Sequence, residues 1–275
     1  MPPRIVKIYS RDNHFQRAEV LKRNREKRTR YGEFLLEGVR SINGAVTKHW
    51  DIRSFLYAAE RPLSDWAKKI LANSEAPEHF ELPLPLLEEL SDKEETSELL
   101  AIVRMPADDL ARIPIKKGML VVVFDRPANP GNLGSSIRSC DALDVAGVII
   151  TGHATDVYHP HTIRGSMGSL FSVPVVRLAS HKEVASFAEQ IKTEVGSLSI
   201  IGTSEDGEKE IFEEDLRDTT LLIMGNETFG LAASYLTLCT TLLRIPMAGS
   251  ASSLNVSCAT SIFLYERVRQ LRGNL

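Results

Sequence analysis

Three short segments hold the residues whose types and spacing could do chemistry, and each directly follows an apolar run. The first is Asp125-Arg-Pro-Ala-Asn129-Pro-Gly131-Asn132-Leu-Gly134-Ser-Ser-Ile-Arg138. Its glycines let a backbone come close to a ligand. With a helix beginning at Leu133, Arg138 falls about one turn in, where a guanidinium could clamp a phosphate or hold a developing oxyanion. The segment reads equally as a turn followed by an ordinary surface arginine. It contains neither GxGxxG nor GxxxxGK[ST], which weighs against dinucleotide-fold and P-loop readings. The second is Gly225-Asn226-Glu227-Thr-Phe-Gly230-Leu231, whose flanking glycines suit a tight path around a ligand. Glu227 is either a hydrogen-bond acceptor or a carboxylate favoured by the positive end of a helix.

The third segment runs Ile245-Pro-Met247-Ala-Gly-Ser-Ala-Ser-Ser253-Leu254-Asn255-Val-Ser257. Ser253 or Asn255 suits a helix N-cap. Capping leaves most of the loop unexplained, and its small residues leave room and backbone groups for an adenine or a ribose. A fourth segment, Arg164–Phe171, either closes over the site or packs against another protomer. His153, His159 and His161 do not have metal-ligand spacing, and no metal is expected.

The segments need strands to place them, because an α/β sheet binds ligands beyond the carboxyl ends of its strands. Residues 119–124 (MLVVVF) form a continuous apolar run, as in a strand buried on both faces. Residues 146–151, 172–176, 198–203, 221–225 and 242–246 repeat the pattern. Helices are predicted at 133–143, 181–195 and 255–269, the last with Val256, Ala259, Ile262 and Phe263 on its apolar side. This alternation predicts a mostly parallel sheet over 119–275. Residues 105–118 read as a linker. Before them, 1–104 read as a smaller α/β domain, with helices at 18–28, 38–48 and 62–72 and strands at 33–37, 53–58, 79–82 and 99–103.

Composition is that of a globular chain, 43% hydrophobic and 25% charged. No apolar run reaches membrane-spanning length and no secretory leader is evident, so a cytoplasmic location is expected. The three cysteines lack disulfide or zinc spacing. Net charge is only −3, but ten lysines and arginines crowd residues 1–32 against three acids, whereas residues 75–98 carry nine acids and one lysine. Arg23, Arg25, Lys27, Arg28 and Arg30 therefore form a candidate contact for a phosphate backbone, or simply a solvated helix face.

Taken together, NPGNLGSSIR, LLIMGNETFGL and IPMAGSASSLNVSCA resemble the three ordered motifs of the SpoU/TrmH family of knotted RNA ribose methyltransferases. The phrase EFLLEGVRSI is similar to that family's N-terminal substrate-binding module. The resemblance implies a deep trefoil knot in the C-terminal domain, a homodimer with its active site at the subunit interface, and S-adenosylmethionine as methyl donor. It implies Arg138 as the catalytic residue, with Asn132, Glu227, Ser253 and Asn255 as functional partners. Gly225, Ile245 and Leu254 would hold the cofactor through their backbones, with Thr203, Met224, Asn226 and Met247 lining its pocket. The substrate implied is structured RNA, ribosomal (23S-type) before transfer RNA. Two further readings stay open: a non-catalytic RNA-binding protein, and a knotted methyltransferase acting on a base such as guanine N1. The spacing from Asn129 to Arg138 fits the ribose-modifying branch better.

Overall fold

The computed structural model describes residues 2–273. In chain order the elements are β1 (Arg4–Lys7), α1 (Asn13–Arg23), α2 (Arg25–Tyr31), β2 (Glu33–Glu37), α3 (Val39–Thr47), β3 (Ile52–Ala58), α4 (Asp65–Ala72), β4 (Glu78–Leu82), α5 (Leu84–Leu90) and β5 (Leu100–Arg104). They continue with β6 (Leu120–Asp125), α6 (Pro130–Ala142), β7 (Gly147–Thr151), α7 (Pro160–Ser166), β8 (Val175–Leu178), α8 (His181–Val195), β9 (Ser199–Thr203), β10 (Lys209–Glu210), β11 (Thr220–Met224), α9 (Ala233–Leu238), β12 (Thr241–Arg244) and α10 (Val256–Leu271). Two compact units result: Met1–Pro106 with Tyr158–Ser172, and Ala107–Val157 with Val173–Leu275.

The first unit has a five-stranded sheet in the order β1-β4-β3-β5-β2, parallel among β1, β4 and β3 and antiparallel at β5. Residues 18–28 do not form one helix. Asn24 ends α1 in an extended conformation, and its side chain accepts from Lys27 N at 3.0 Å to cap α2. That break turns Arg28 inward, leaving it 2% exposed, with Nη1 donating to the carbonyls of Leu21 at 2.8 Å and Lys22 at 2.9 Å. Arg28 thus satisfies orphan carbonyls at the end of α1. It has no surface to offer a phosphate, contrary to the expectation from charge.

The fourth segment packs within this first unit. Phe34 stacks on Tyr158 at 4.7 Å, Trp50 meets Phe171 edge-on at 4.9 Å, and Trp50 Nε1 donates to Phe171 O at 3.1 Å. The fit is close: a Cβ on Gly44 would stand 3.1 Å from the Phe171 ring and 3.2 Å from Gly168 O.

The second unit is a seven-stranded, wholly parallel sheet in the order β10-β12-β9-β11-β6-β7-β8. Every residue of β6, β7 and β11 is buried, as expected for strands covered on both faces. Val121, Val123, Leu221 and Ile223 pack with Val184, Phe187 and Ile191 of α8; each such buried side chain contributes roughly 1.5–3 kcal/mol. On α10 the buried residues are Thr260, Phe263, Leu264 and Arg267. Ile262, expected on the apolar side, is 37% exposed, because the buried stripe is centred one residue later. Arg267 donates to the carbonyls of Leu216, Asp218 and Gly118, tying α10 to the turns before β6 and β11.

Strand order places the carboxyl ends of β12, β9, β11 and β6 side by side. After β6 the chain runs outward through β7 and β8, then returns to fill the other side. The crevice between β6 and β11 is therefore a topological switch point, where open α/β sheets bind ligands.

Candidate active site

Asp125 closes β6 with a carboxylate that is 3% exposed. Its Oδ1 accepts from Arg126 Nε at 2.9 Å, and its Oδ2 from Arg126 Nη2 at 2.8 Å and from Ala232 N at 2.9 Å. Arg126 has a left-handed backbone, φ +52°, which turns the chain sharply out of the strand. Its guanidinium also reaches Gly230 O at 3.3 Å, and its carbonyl accepts from Asn226 Nδ2 at 2.7 Å. The loop from Gly225 to Ala232 is thereby latched to the end of β6. Within the loop, Asn226 and Gly230 exchange both backbone hydrogen bonds at 3.0 Å, and Asn226 Oδ1 accepts from Thr228 N and Phe229 N. A Cβ on Gly225 would lie 2.7 Å from the Gly230 carbonyl carbon, so only glycine fits this tight return.

The latched loop aims Glu227 at the β6–α6 connection. Glu227 accepts from Ala128 N at 3.0 Å, Asn129 N at 3.3 Å and Asn132 Nδ2 at 3.3 Å. Asn132 Oδ1 in turn accepts from Asn255 Nδ2 at 3.0 Å. Glu227, Asn132 and Asn255 thus form one hydrogen-bonded chain across the three segments picked out by their chemistry. Asn255 also caps α10, accepting from Ser257 N at 2.9 Å.

Other expected site residues stand apart from this chain. Helix α6 starts at Pro130, capped by Asn129, so Arg138 lies about two turns in rather than one. Arg138 is exposed, and its side chain makes no hydrogen bond or ion pair among the described residues. The neighbouring Ser139 meets Ser261 of α10 at 2.8 Å. Ser253 is exposed and joins no hydrogen bond among the described residues. Met224 is buried at the end of β11, Thr203 Oγ1 donates to Ile223 O at 3.2 Å, and Ile245 follows β12 on the adjacent strand end. Met247 and Leu254 are exposed on the third loop. Arg23, Arg25, Lys27 and Arg30 lie on α1 and α2 of the first unit, Arg23 paired with Glu19 at 3.5 Å.

Sequence reasoning gave no role to Asp125 or Arg126, and used Asn129 only as the start of the first motif. Asn129-Pro130 is an N-cap followed by proline at the first helical position, a signal that could have placed the helix start. Asp125 had only the cue of an acid ending an apolar run. Burial pushes the Cys239 thiol up to about 11 and raises Cys140 as well, so neither of these two is poised as a nucleophile. Burial likewise lifts the Tyr235 phenol to about 12, and its hydroxyl donates to Thr151 Oγ1 at 2.8 Å. Among the described residues no group of three His, Cys, Asp or Glu could hold a metal ion.

Residues 119–265, more than half of the chain, match the model of the SpoU rRNA methylase family. The chain belongs to that family. Residues 12–101 match the SpoU L30e-like domain. A Streptomyces viridochromogenes protein named 23S rRNA (uridine(2479)-2′-O)-methyltransferase is 48% identical over 98% of this chain and 93% of its own length. The crystal structure of the SpoU methyltransferase AviRb from Streptomyces viridochromogenes in complex with AdoMet superposes with a TM-score of 0.92 at 47% identity, covering 96% of this chain and all of that one. An AdoMet-bound rRNA methyltransferase from Sinorhizobium meliloti gives a TM-score of 0.85 at 25% identity, covering 97% and 98%. The residues of this SpoU methylase suit AdoMet on their own terms. Gly225 provides a turn that a side chain would fill, and residues 246–254 make no hydrogen bonds among the described residues, so their amides and carbonyls are available to an adenosine.

Proposed function

We propose that this SpoU methylase transfers a methyl group from S-adenosylmethionine to a ribose 2′-hydroxyl of 23S ribosomal RNA. The observation that carries the reading is the Glu227–Asn132–Asn255 chain, which holds the loops after β6, β11 and β12 together at a switch point. AdoMet, when bound, supplies a methyl group already made electrophilic by its sulfonium. The protein's task is then to orient the ribose oxygen and to ease loss of its proton. The backbones of Gly225, Ile245 and Leu254 hold the cofactor, with Thr203, Met224 and Met247 along its pocket. Asn226 shapes the loop, its side chain being bonded to Arg126 O, Thr228 N and Phe229 N. Arg138 contacts the target phosphate or the 2′-oxygen and stabilises negative charge as it develops. Fully protonated, a guanidinium does not serve as the base. Asn132, Glu227, Ser253 and Asn255 position the nucleotide.

In this reading the C-terminal segment threads a trefoil knot and two copies pair, with Arg138 facing the substrate at their interface. Exposed Ile262 and Tyr265 on α10 are apolar surface suited to that pairing. The first unit binds RNA, with Arg23, Arg25, Lys27 and Arg30 set against phosphate, and the enzyme works in the cytoplasm. No helix among the described residues is long and apolar enough to cross a membrane. Ribosomal RNA is preferred to transfer RNA because the rRNA-modifying relative matches along nearly the whole chain, first unit included. Ribose-methylation mapping of total RNA from cells with and without the gene tests this. Loss of one 23S site supports the reading, and loss confined to transfer RNA overturns it.

A further inference from the structure

The first unit contains a cavity of about 270 Å³ beside the start of α3, and every residue lining it belongs to that unit. Its inner wall is apolar, formed by buried Leu35, Leu90 and Ile163. At its mouth are two exposed apolar side chains, Val39 at 50% and Met167 at 38%, and two exposed arginines, Arg40 and Arg164. Four cations line the cavity (Lys22, Arg40, Lys93 and Arg164) against two carboxylates, in a chain whose net charge is −3. Both carboxylates are engaged internally. Glu37 accepts from Ser91 Oγ at 2.6 Å and Asp92 N at 2.9 Å, while Asp92 pairs with Lys22 at 3.0 Å. The Arg40 side chain makes no hydrogen bond or ion pair among the described residues, and Arg164 reaches Asp92 only at 4.0 Å. Gly38 leaves the first amides of α3 without a side-chain cap.

An apolar cavity of this size, rimmed by arginines, fits one flat aromatic ring bearing an anionic group. It is too small for a duplex. RNA offers that chemistry wherever a base leaves its stack, and unstacked bases are what proteins read by apolar contact and guanidinium stacking. We propose that this cavity holds one unpaired nucleotide of the RNA substrate, its base against the wall that includes Val39 and Met167 and its phosphate at Arg40 and Arg164. The site includes none of Arg23, Arg25, Lys27 and Arg30 and selects among RNAs by requiring an extruded nucleotide. The proposal rests on the RNA reading above.

The test uses the full chain and an in vitro 23S rRNA transcript, reading RNA affinity, methylation and AdoMet affinity together. Val39→Trp fills the mouth without changing charge, and Arg40→Ala with Arg164→Ala removes the cations without filling it. Each is expected to weaken RNA binding roughly 10- to 100-fold while AdoMet affinity, carried by the second unit, stays within twofold. The double arginine variant should also flatten the salt dependence of binding. Wild-type RNA affinity in either variant refutes the cavity site, and if only the arginine variant weakens, surface charge accounts for the effect instead. Uridine 5′-monophosphate is expected to compete only at millimolar concentration, and micromolar competition would make the occupant a free nucleotide. A wild-type chain that neither binds nor methylates the transcript refutes the RNA reading itself, a result distinct from failure of the cavity alone.

Discussion

Replacing Asp125 probes the latch that holds the Gly225–Ala232 loop. Its carboxylate accepts three hydrogen bonds, two from Arg126 and one from Ala232 N. Hydrogen bonds to a charged group are worth about 1.5–3 kcal/mol each when buried. Arg126 is 32% exposed and can rehydrate once its partner is gone, so the total must be discounted. Asp125→Ala should therefore cost about 3–4 kcal/mol, with the Ala232 amide left unpartnered. For a domain of this size that is a fall of roughly 6–16 °C in Tm. Asp125→Asn can turn its oxygen toward Arg126 Nη2 and Ala232 N, losing the bond to Nε and the charge, and should cost about half as much. Because the latch shapes the cofactor turn, AdoMet affinity should drop on the order of tenfold or more in the alanine variant, about 1.4 kcal/mol per factor of ten. Thermal unfolding and calorimetric titration with AdoMet measure both quantities. A Tm within 2 °C of wild type (~0.5–1 kcal/mol) and unchanged affinity in Asp125→Ala would refute the latch.

Four other outcomes follow from the same geometry. Arg138→Ala should lower kcat by roughly 100-fold or more while AdoMet and RNA affinities stay near normal, and Arg138→Lys should not restore it, because an ammonium lacks the planar fork. Gly225→Ala, whose Cβ would stand 2.7 Å from the Gly230 backbone, should abolish detectable AdoMet binding in titration and leave the apolar core folded by circular dichroism. His79 is buried, its Nε2 has no hydrogen-bond partner among the described residues, and burial lowers its pKa from the ordinary value of about 6.5. Since the unfolded chain then takes up the proton more readily, stability of the first unit should be full above about pH 6.5 and decline below it, and His79→Phe should remove that slope in urea titrations. Arg28→Ala should destabilise the first unit by about 2–3 kcal/mol without changing the salt dependence of RNA binding, whereas Arg25→Ala and Arg30→Ala should reduce that slope by about one each.

The sheet of the second unit was legible because strands covered on both faces leave uninterrupted apolar runs, and residues 119–124 and 221–225 are such runs. The loops were legible because glycine, asparagine and small residues concentrate where a strand ends. Short elements were harder to see. Strand β1 is four residues among charges, and α5 carries prolines at its start. The Asn24 break was hidden in a helix-favouring basic stretch, and with it the burial of Arg28. Charge alone could not separate an arginine that binds carbonyls inside the fold from its exposed neighbours. The role of Asp125 was not legible because it depends on Ala232, more than a hundred residues away in sequence. Periodicity reports which face of an element is buried, not which distant amide a carboxylate will meet.

Alkaline hydrolysis provides the most direct test of ribose methylation, because cleavage of an RNA linkage uses the 2′-hydroxyl as its nucleophile. The 23S transcript is methylated by the wild-type enzyme with AdoMet carrying a labelled methyl group, then hydrolysed completely in alkali. The label is expected in a dinucleotide that resists cleavage, and to be absent with Arg138→Ala. Label recovered in mononucleotides would place the methyl on a base and contradict the account.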